Sequence, residues 1–251
     1  MSIRRTFATL IVAGVVPVLA AAQGLPDGKA LVSKHIAAIG GREAMEKHSS
    51  VHMTGTFSMS AMGIEGPIHL YRAKPAMFVQ QITLGAMGEV TQGFDGTTAW
   101  AVNPMMGPSV MSGDQAAQMK SQADFFSDYP DFSKYTTVET VALEDFEGHK
   151  CYKVKLVKAD GSGEAMQFFD AETGLAAGMT RSVENPQMGK IDVTVVMSDY
   201  KDQGGVKMPS KITQKTPQGD VVLTFSGYEW DKVDPTVFNL PDAVKAMVKP
   251  N

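Results

Sequence analysis

The sequence predicts a mainly β protein, an antiparallel meander of roughly eleven strands with two or three short helices. Three observations carry that expectation. Apolar and polar residues alternate with period two in several runs; Val51, Met53, Gly55, Phe57 and Met59 interleave with His52, Thr54, Thr56 and Ser58. Turn residues punctuate the runs, as at Asp95-Gly96, Asp160-Gly161 and Gly204-Gly205. The connections are short, which suits strands that pair with their sequence neighbours.

Residues 1–22 are expected to be an export signal rather than part of the fold. Arg4 and Arg5 form its positive start, Phe7 to Leu19 its apolar stretch, and Ala20-Ala21-Ala22 the small-residue site before a cut at Gln23. Residues 23–251 then form one domain, and a bacterial periplasm is the expected compartment. Asp27 to Gly41 reads as the first helix, with Asp27 as its cap and Gly40-Gly41 as its stop. Strands follow at 51–59, 64–72, 76–83, 88–94 and 97–102. Ser112 to Tyr129 interrupts them as an amphipathic helix with an aromatic-rich exit. Strands resume at 136–144 and 150–158, then continue in turn-separated runs to residue 228, and 242–248 closes the chain as a short helix.

The stretch from Ile64 to Ser112 stands out as the functional centre. Met87, Met105, Met106 and Met111 crowd its second half, with Met119 just beyond. Flexible thioethers suit a lining that accepts apolar chains of variable shape. The segment 104–132 is the candidate lid, by its Pro and Gly hinges and its apolar helix.

Composition narrows the function classes. The whole chain has 23 basic and 27 acidic residues; without Arg4 and Arg5 the balance is 21 to 27, a net charge of −6. No basic footprint for nucleic acid or an anionic membrane surface results. Cys151 is the single cysteine, so no internal disulfide forms, and alternation puts it on the more polar face of its strand. The histidines His35, His48, His52, His69 and His149 lack zinc spacing, and no G-x-S-x-G or H-E-x-x-H occurs. A thioether Cu(I) site at Met105-Met106 and Met111 is weighed against plain cavity lining, and lining is preferred. Neither a metal, nor a cofactor, nor an enzymatic activity is expected.

The order of motifs resembles that of the LolA/LolB-like family of periplasmic outer-membrane lipoprotein-sorting carriers, and of its broader relatives rather than the true lipoprotein carrier. Arg72-Ala73-Lys74-Pro75 precedes Phe94-Asp95-Gly96-Thr97-Thr98-Ala99-Trp100 and Asn103-Pro104. Later come Phe146-Glu147-Gly148, Phe169-Asp170, Asp199-Tyr200-Lys201, Gly205-Val206-Lys207-Met208-Pro209 and Asp234-Pro235. The resemblance implies an unclosed, strongly curved antiparallel β-barrel with helices over an apolar cavity. It implies lipid or lipoprotein acyl chains as cargo, an inner- or outer-membrane envelope complex as a further partner, and no catalysis. A non-catalytic envelope interaction module and an enzyme on a barrel scaffold stay open as other readings.

Strand alternation and the methionine-rich lid select the expected lipid-binding set. It comprises Phe57, Met59, Leu70, Arg72, Phe78, Ile82, Val90, Trp100 and Val102 on the sheet, with Met105, Met106, Met119 and Phe126 from the lid. Arg72 shares a face with Ile68 and Leu70. It either tethers the lid or meets a cargo headgroup, or it ends the strand and reaches solvent.

Overall fold

The computed structural model describes residues 24–161, 163–185, 189–217 and 219–248; the expected export signal lies outside them. Thirteen strands form a single antiparallel sheet. They are β1 (Ser50–Met59), β2 (Ile64–Ala73), β3 (Met77–Thr83), β4 (Glu89–Phe94), β5 (Ala99–Asn103), β6 (Gly107–Val110), β7 (Tyr135–Phe146), β8 (His149–Lys158), β9 (Glu164–Asp170), β10 (Ala176–Asn185), β11 (Gly189–Gln203), β12 (Val206–Thr216) and β13 (Gly219–Trp230). Their spatial order is β6-β5-β4-β3-β2-β1-β13-β12-β11-β10-β9-β8-β7, so the sheet is two meanders joined where β1 pairs with β13. It does not close: β6 and β7 are its edges. The count exceeds the roughly eleven strands expected from turn chemistry. One addition is β6, whose four residues include Pro108 and pair only with β5.

Four helices accompany the sheet: α1 (Gly28–Ala38), α2 (Arg42–Glu46), α3 (Gly113–Ala123) and α4 (Asp242–Lys245). Asp27 Oδ1 accepts from the Ala30 amide at 2.9 Å and caps α1. Gly28 lies against the Val138 carbonyl, where a Cβ would sit 2.8 Å from the oxygen, so helix and sheet touch backbone to backbone. α3 takes up the first part of the 112–129 stretch, and the expected aromatic-rich exit follows it without helix. Asp124 Oδ1 takes the Phe126 amide at 2.9 Å, and the Phe125 amide donates to Pro75 O at 3.2 Å. These bonds draw the chain out of the helix and onto the sheet. Among the described residues no helix is long and apolar enough to cross a membrane.

Direct cross-strand partners share a face, so the register assigns the two faces. Val154, Gln167, Met179, Val195, Gln214 and Val221 form one row across β8 to β13. Val154 packs with Leu31 and Val32 of α1, which makes this the concave, helix-bearing face. The back is covered too. On β2, β3 and β5, Tyr71, Val79 and Trp100 pack against Val237, Phe238 and Val244 of the C-terminal segment. Across β8 to β10, Cys151, Phe168 and Ala177 lie with Phe146.

That last cluster corrects the expected placement of Cys151. Its side chain has 0% of its surface exposed, and burial pushes the thiol up to about 11. Lys153 and Lys155, in step with Cys151 along the strand, suggest a solvated face, but the β7–β8 hairpin brings Phe146 to stack on Phe168, 4.0 Å between centroids, beside the cysteine.

Candidate functional site

Turns of a meander alternate between two ends of the sheet. At one end lie the β2–β3 turn at 73–77, the β4–β5 turn and the β11–β12 turn. The helices gather there: Lys74 Nζ donates to Glu46 O of α2 at 2.8 Å, and the Lys207 amide donates to Ile39 O just past α1. At the other end the β1–β2, β3–β4 and β12–β13 turns form a rim.

The helical end of the concavity is filled by residues 124–131. Phe125 and Tyr129 are buried in the core with Val51, Met53, Ile68 and Phe225, and Phe126 packs against them. The three rings meet edge to face, at 5.6 Å and 6.3 Å between centroids. Three cations pin the segment. Arg72 Nη2 donates to Asp124 O and to Ser127 Oγ at 2.8 Å, and Nη1 lies 3.9 Å from Asp128 Oδ2. The Arg42 guanidinium sits 4.4 Å over the Phe126 ring and donates to Tyr129 O at 3.4 Å. Lys74 Nζ stands 5.7 Å and 5.4 Å from the Phe125 and Phe126 centroids. Of the two readings of Arg72, the structure takes the tether. The residue is only 8% exposed, and a guanidinium so buried must find acceptors. Burial raises the Tyr129 hydroxyl to about 12, and its oxygen has no partner.

Toward the rim the concavity is uncovered. Met59, Ile64, Ile82, Ile212, Val221 and Leu223 border the core there and are only half-buried. Gln214 shares their face and is exposed. The wall is therefore an apolar trough that opens to solvent above the aromatic plug.

This is the geometry of an open barrel stoppered at one end by helices. A DUF1329 family protein from Desulfovibrio piger has a similar fold, with a TM-score of 0.59 over 86% of this chain and 98% of that one at 13% identity. A LolA superfamily protein from Nitrosomonas europaea superposes with a TM-score of 0.54 over 86% and 99%, also at 13% identity. The fold is LolA-like. No family model and no curated protein matches the chain.

The LolA-like sheet sorts the expected lipid-binding residues into three places. Phe57, Met59, Leu70, Arg72, Phe78, Ile82 and Val90 lie on the concave face, in rows set by the β1–β2, β2–β3 and β3–β4 registers. Met119 is buried against Phe78, Phe94 and Ala99, and Phe126 belongs to the plug. The other four lie elsewhere. Trp100, 1% exposed, and Val102 are on the back, against the C-terminal segment. Met105 and Met106 are 82% and 83% exposed at the β5–β6 turn.

Strand alternation and the methionine-rich surroundings predict an inward Trp100, and the structure puts it on the back. A strand covered on both faces is apolar at odd and even positions, so alternation alone gives no sign of direction. Gly93 decides it: a Cβ there would lie 3.0 Å from Trp100 Cζ2, so the indole lies over the glycine on the side where Val79 also packs. Met105 and Met106 turn outward because Asn103 Oδ1 takes the Met105 amide at 2.8 Å and closes a tight turn.

The expected cavity between the sheet and residues 104–132 is also corrected. That segment supplies the side chains that fill the space. Clefts of about 450 Å³, between α3 and Met247-Val248, and about 290 Å³, beside Trp100 on the back, lie outside the open trough. The sequence reading missed the contribution of the second meander. Ile212, Val221 and Leu223 were legible as alternating apolar positions in β12 and β13, yet methionine density drew attention to the first half alone.

Proposed function

We propose that the protein is a non-catalytic carrier that holds acyl chains of a lipid or lipoprotein in the open trough. It would act in the periplasm after loss of residues 1–22, and pass cargo to an envelope partner that serves the outer membrane. The observation that carries this reading is the half-exposed apolar wall of Met59, Ile64, Ile82, Ile212, Val221 and Leu223 in a LolA-like barrel. Each CH₂ moved from water onto such a wall contributes up to about 0.8 kcal/mol, so a long acyl chain binds by burial alone, without a reactive group. The tethered plug shapes the floor of the trough, and chains that need more depth would displace it.

Titration with a fluorescent fatty acid tests the reading. Saturable binding, competed by unlabelled lipid and weakened at least about tenfold by Leu223→Asp, is the expected result, because the new carboxylate is desolvated on the wall. Non-saturable binding, or binding indifferent to Leu223→Asp, would overturn it. Trp100 is a poor reporter because it faces away from the trough.

A further inference from the structure

One charged side chain on the trough wall has nothing to bind. Arg181 of β10 faces Val193 on β11 and lies two residues along from Met179, on the concave face. Met179 and its row partners Gln167, Val195 and Gln214 form the adjoining row on one side of the position, across β9, β11 and β12, and none of them is acidic. Among the described residues no hydrogen bond or ion pair reaches Arg181, and its Nε is buried and unpartnered. Burial lowers its pKa, and no neighbouring carboxylate opposes that shift. Lys158, a cation on the same face of β8, is engaged at 2.9 Å with Ser121 Oγ of α3.

A half-buried guanidinium without an anion is costly, and the protein's own remedy is visible nearby, where Arg72 is given a carbonyl and a hydroxyl. Arg181 has no such acceptors, yet it stands at the end of an apolar trough. A fork of donors beside an apolar wall is complementary to an amphiphile with an anionic head. We infer that Arg181 is the headgroup site of the trough, and that the preferred cargo is an acyl lipid whose head carries a net negative phosphate. This inference rests on the carrier reading and sharpens it.

The test compares two lipids with the same fluorescent acyl chain, phosphatidylglycerol and phosphatidylcholine, on the full chain, on Arg181→Met and on Arg181→Lys. Inorganic phosphate serves as competitor. Phosphatidylglycerol should bind roughly tenfold tighter than phosphatidylcholine. Arg181→Met should erase that preference while leaving phosphatidylcholine binding in place, and Arg181→Lys should keep part of it. A melting curve no lower for Arg181→Met than for the parent would show that the loss is not unfolding. Equal binding of the two lipids, or a preference that survives Arg181→Met, overturns the headgroup site and leaves the carrier reading standing. Arg181-dependent competition by phosphate as strong as by the lipid would mean a free-anion site instead. Failure of both lipids to bind would remove both readings together.

Discussion

Two arginines on one concave wall have opposite circumstances. Arg72, at the helical end, is buried and gives its donors to Asp124 O and Ser127 Oγ, with Asp128 close by. Arg181, toward the other edge of the sheet, finds no hydrogen-bond acceptor or ion-pair partner among the described residues. The first fixes a segment of the chain in place of cargo; the second keeps its donors unspent. The contrast teaches that position on the inward face does not define a ligand contact. What separates the two roles is whether the protein supplies the counter-group itself.

Replacing each arginine by methionine should break the contrast most visibly. Arg72→Met removes the anchor of the plug and leaves Asp124 O and Ser127 Oγ without their donor, so a loss of about 2–3 kcal/mol is expected in chemical denaturation. Arg181→Met removes an uncompensated charge and should leave stability unchanged or slightly higher. Equal losses would mean that both side chains are structural.

A second comparison sets the two faces against each other. The back is as dry at Cys151 as the plug is at Phe125. Cys151→Ser places a hydroxyl among Phe146, Phe168 and Ala177, and a loss of about 1–2 kcal/mol should follow by the same measurement. A change within the range of surface substitutions would restore the polar-face assignment.

The smallest expected effect is one of pH. His35 of α1 is buried, accepts the Ala176 amide on Nδ1 at 3.2 Å, and has its pKa lowered chiefly by that burial, against a partial rise from Asp128 and Gly174. The unfolded chain therefore binds a proton that the folded one resists. The contribution of neutral His35 is fully present above its ordinary value of 6.5 and is lost as pH falls below it toward the folded value. Melting temperature should drop over that window, and His35→Asn, which keeps an acceptor but does not titrate, should flatten the drop. His52, also lowered, chiefly by burial and then by His69, would leave a residual slope.

The strands were legible because their turns carry Asp, Asn and Gly at the positions where the backbone reverses, as at Asp95-Gly96 and Glu172-Thr173-Gly174. The inward direction was legible in β1, where His52, Thr54, Thr56 and Ser58 make one set of alternate residues plainly polar. It failed in β5, where Ala99, Trp100, Ala101 and Val102 are apolar on both sides because two different segments cover them. Cys151 failed for a related reason: Lys153 and Lys155 on its face reach solvent by their stems, while the cysteine itself is sealed by Phe146 and Phe168. The role of Arg72 was left undecided by sequence, since its acceptors come from residues more than a domain layer away in the chain. Arg181 carried no sequence signal, because an absent partner is a property of three dimensions.

The seam between β1 and β13 has a consequence for synthesis. Nearly every other strand pair is made by neighbours in the chain, and hairpins of that kind form early and locally. The seam joins the first strand to the last, from Val51 opposite Trp230 to Ser58 opposite Val222. Until residues 219–230 have emerged, β1 and β12 each present an open edge, and the two half-sheets cannot assemble into one wall. Such edges recruit other chains as readily as their own partner. A nascent chain of this protein thus remains vulnerable to aggregation until β13 has emerged, and a truncation before Gly219 would produce two half-barrels without a shared core.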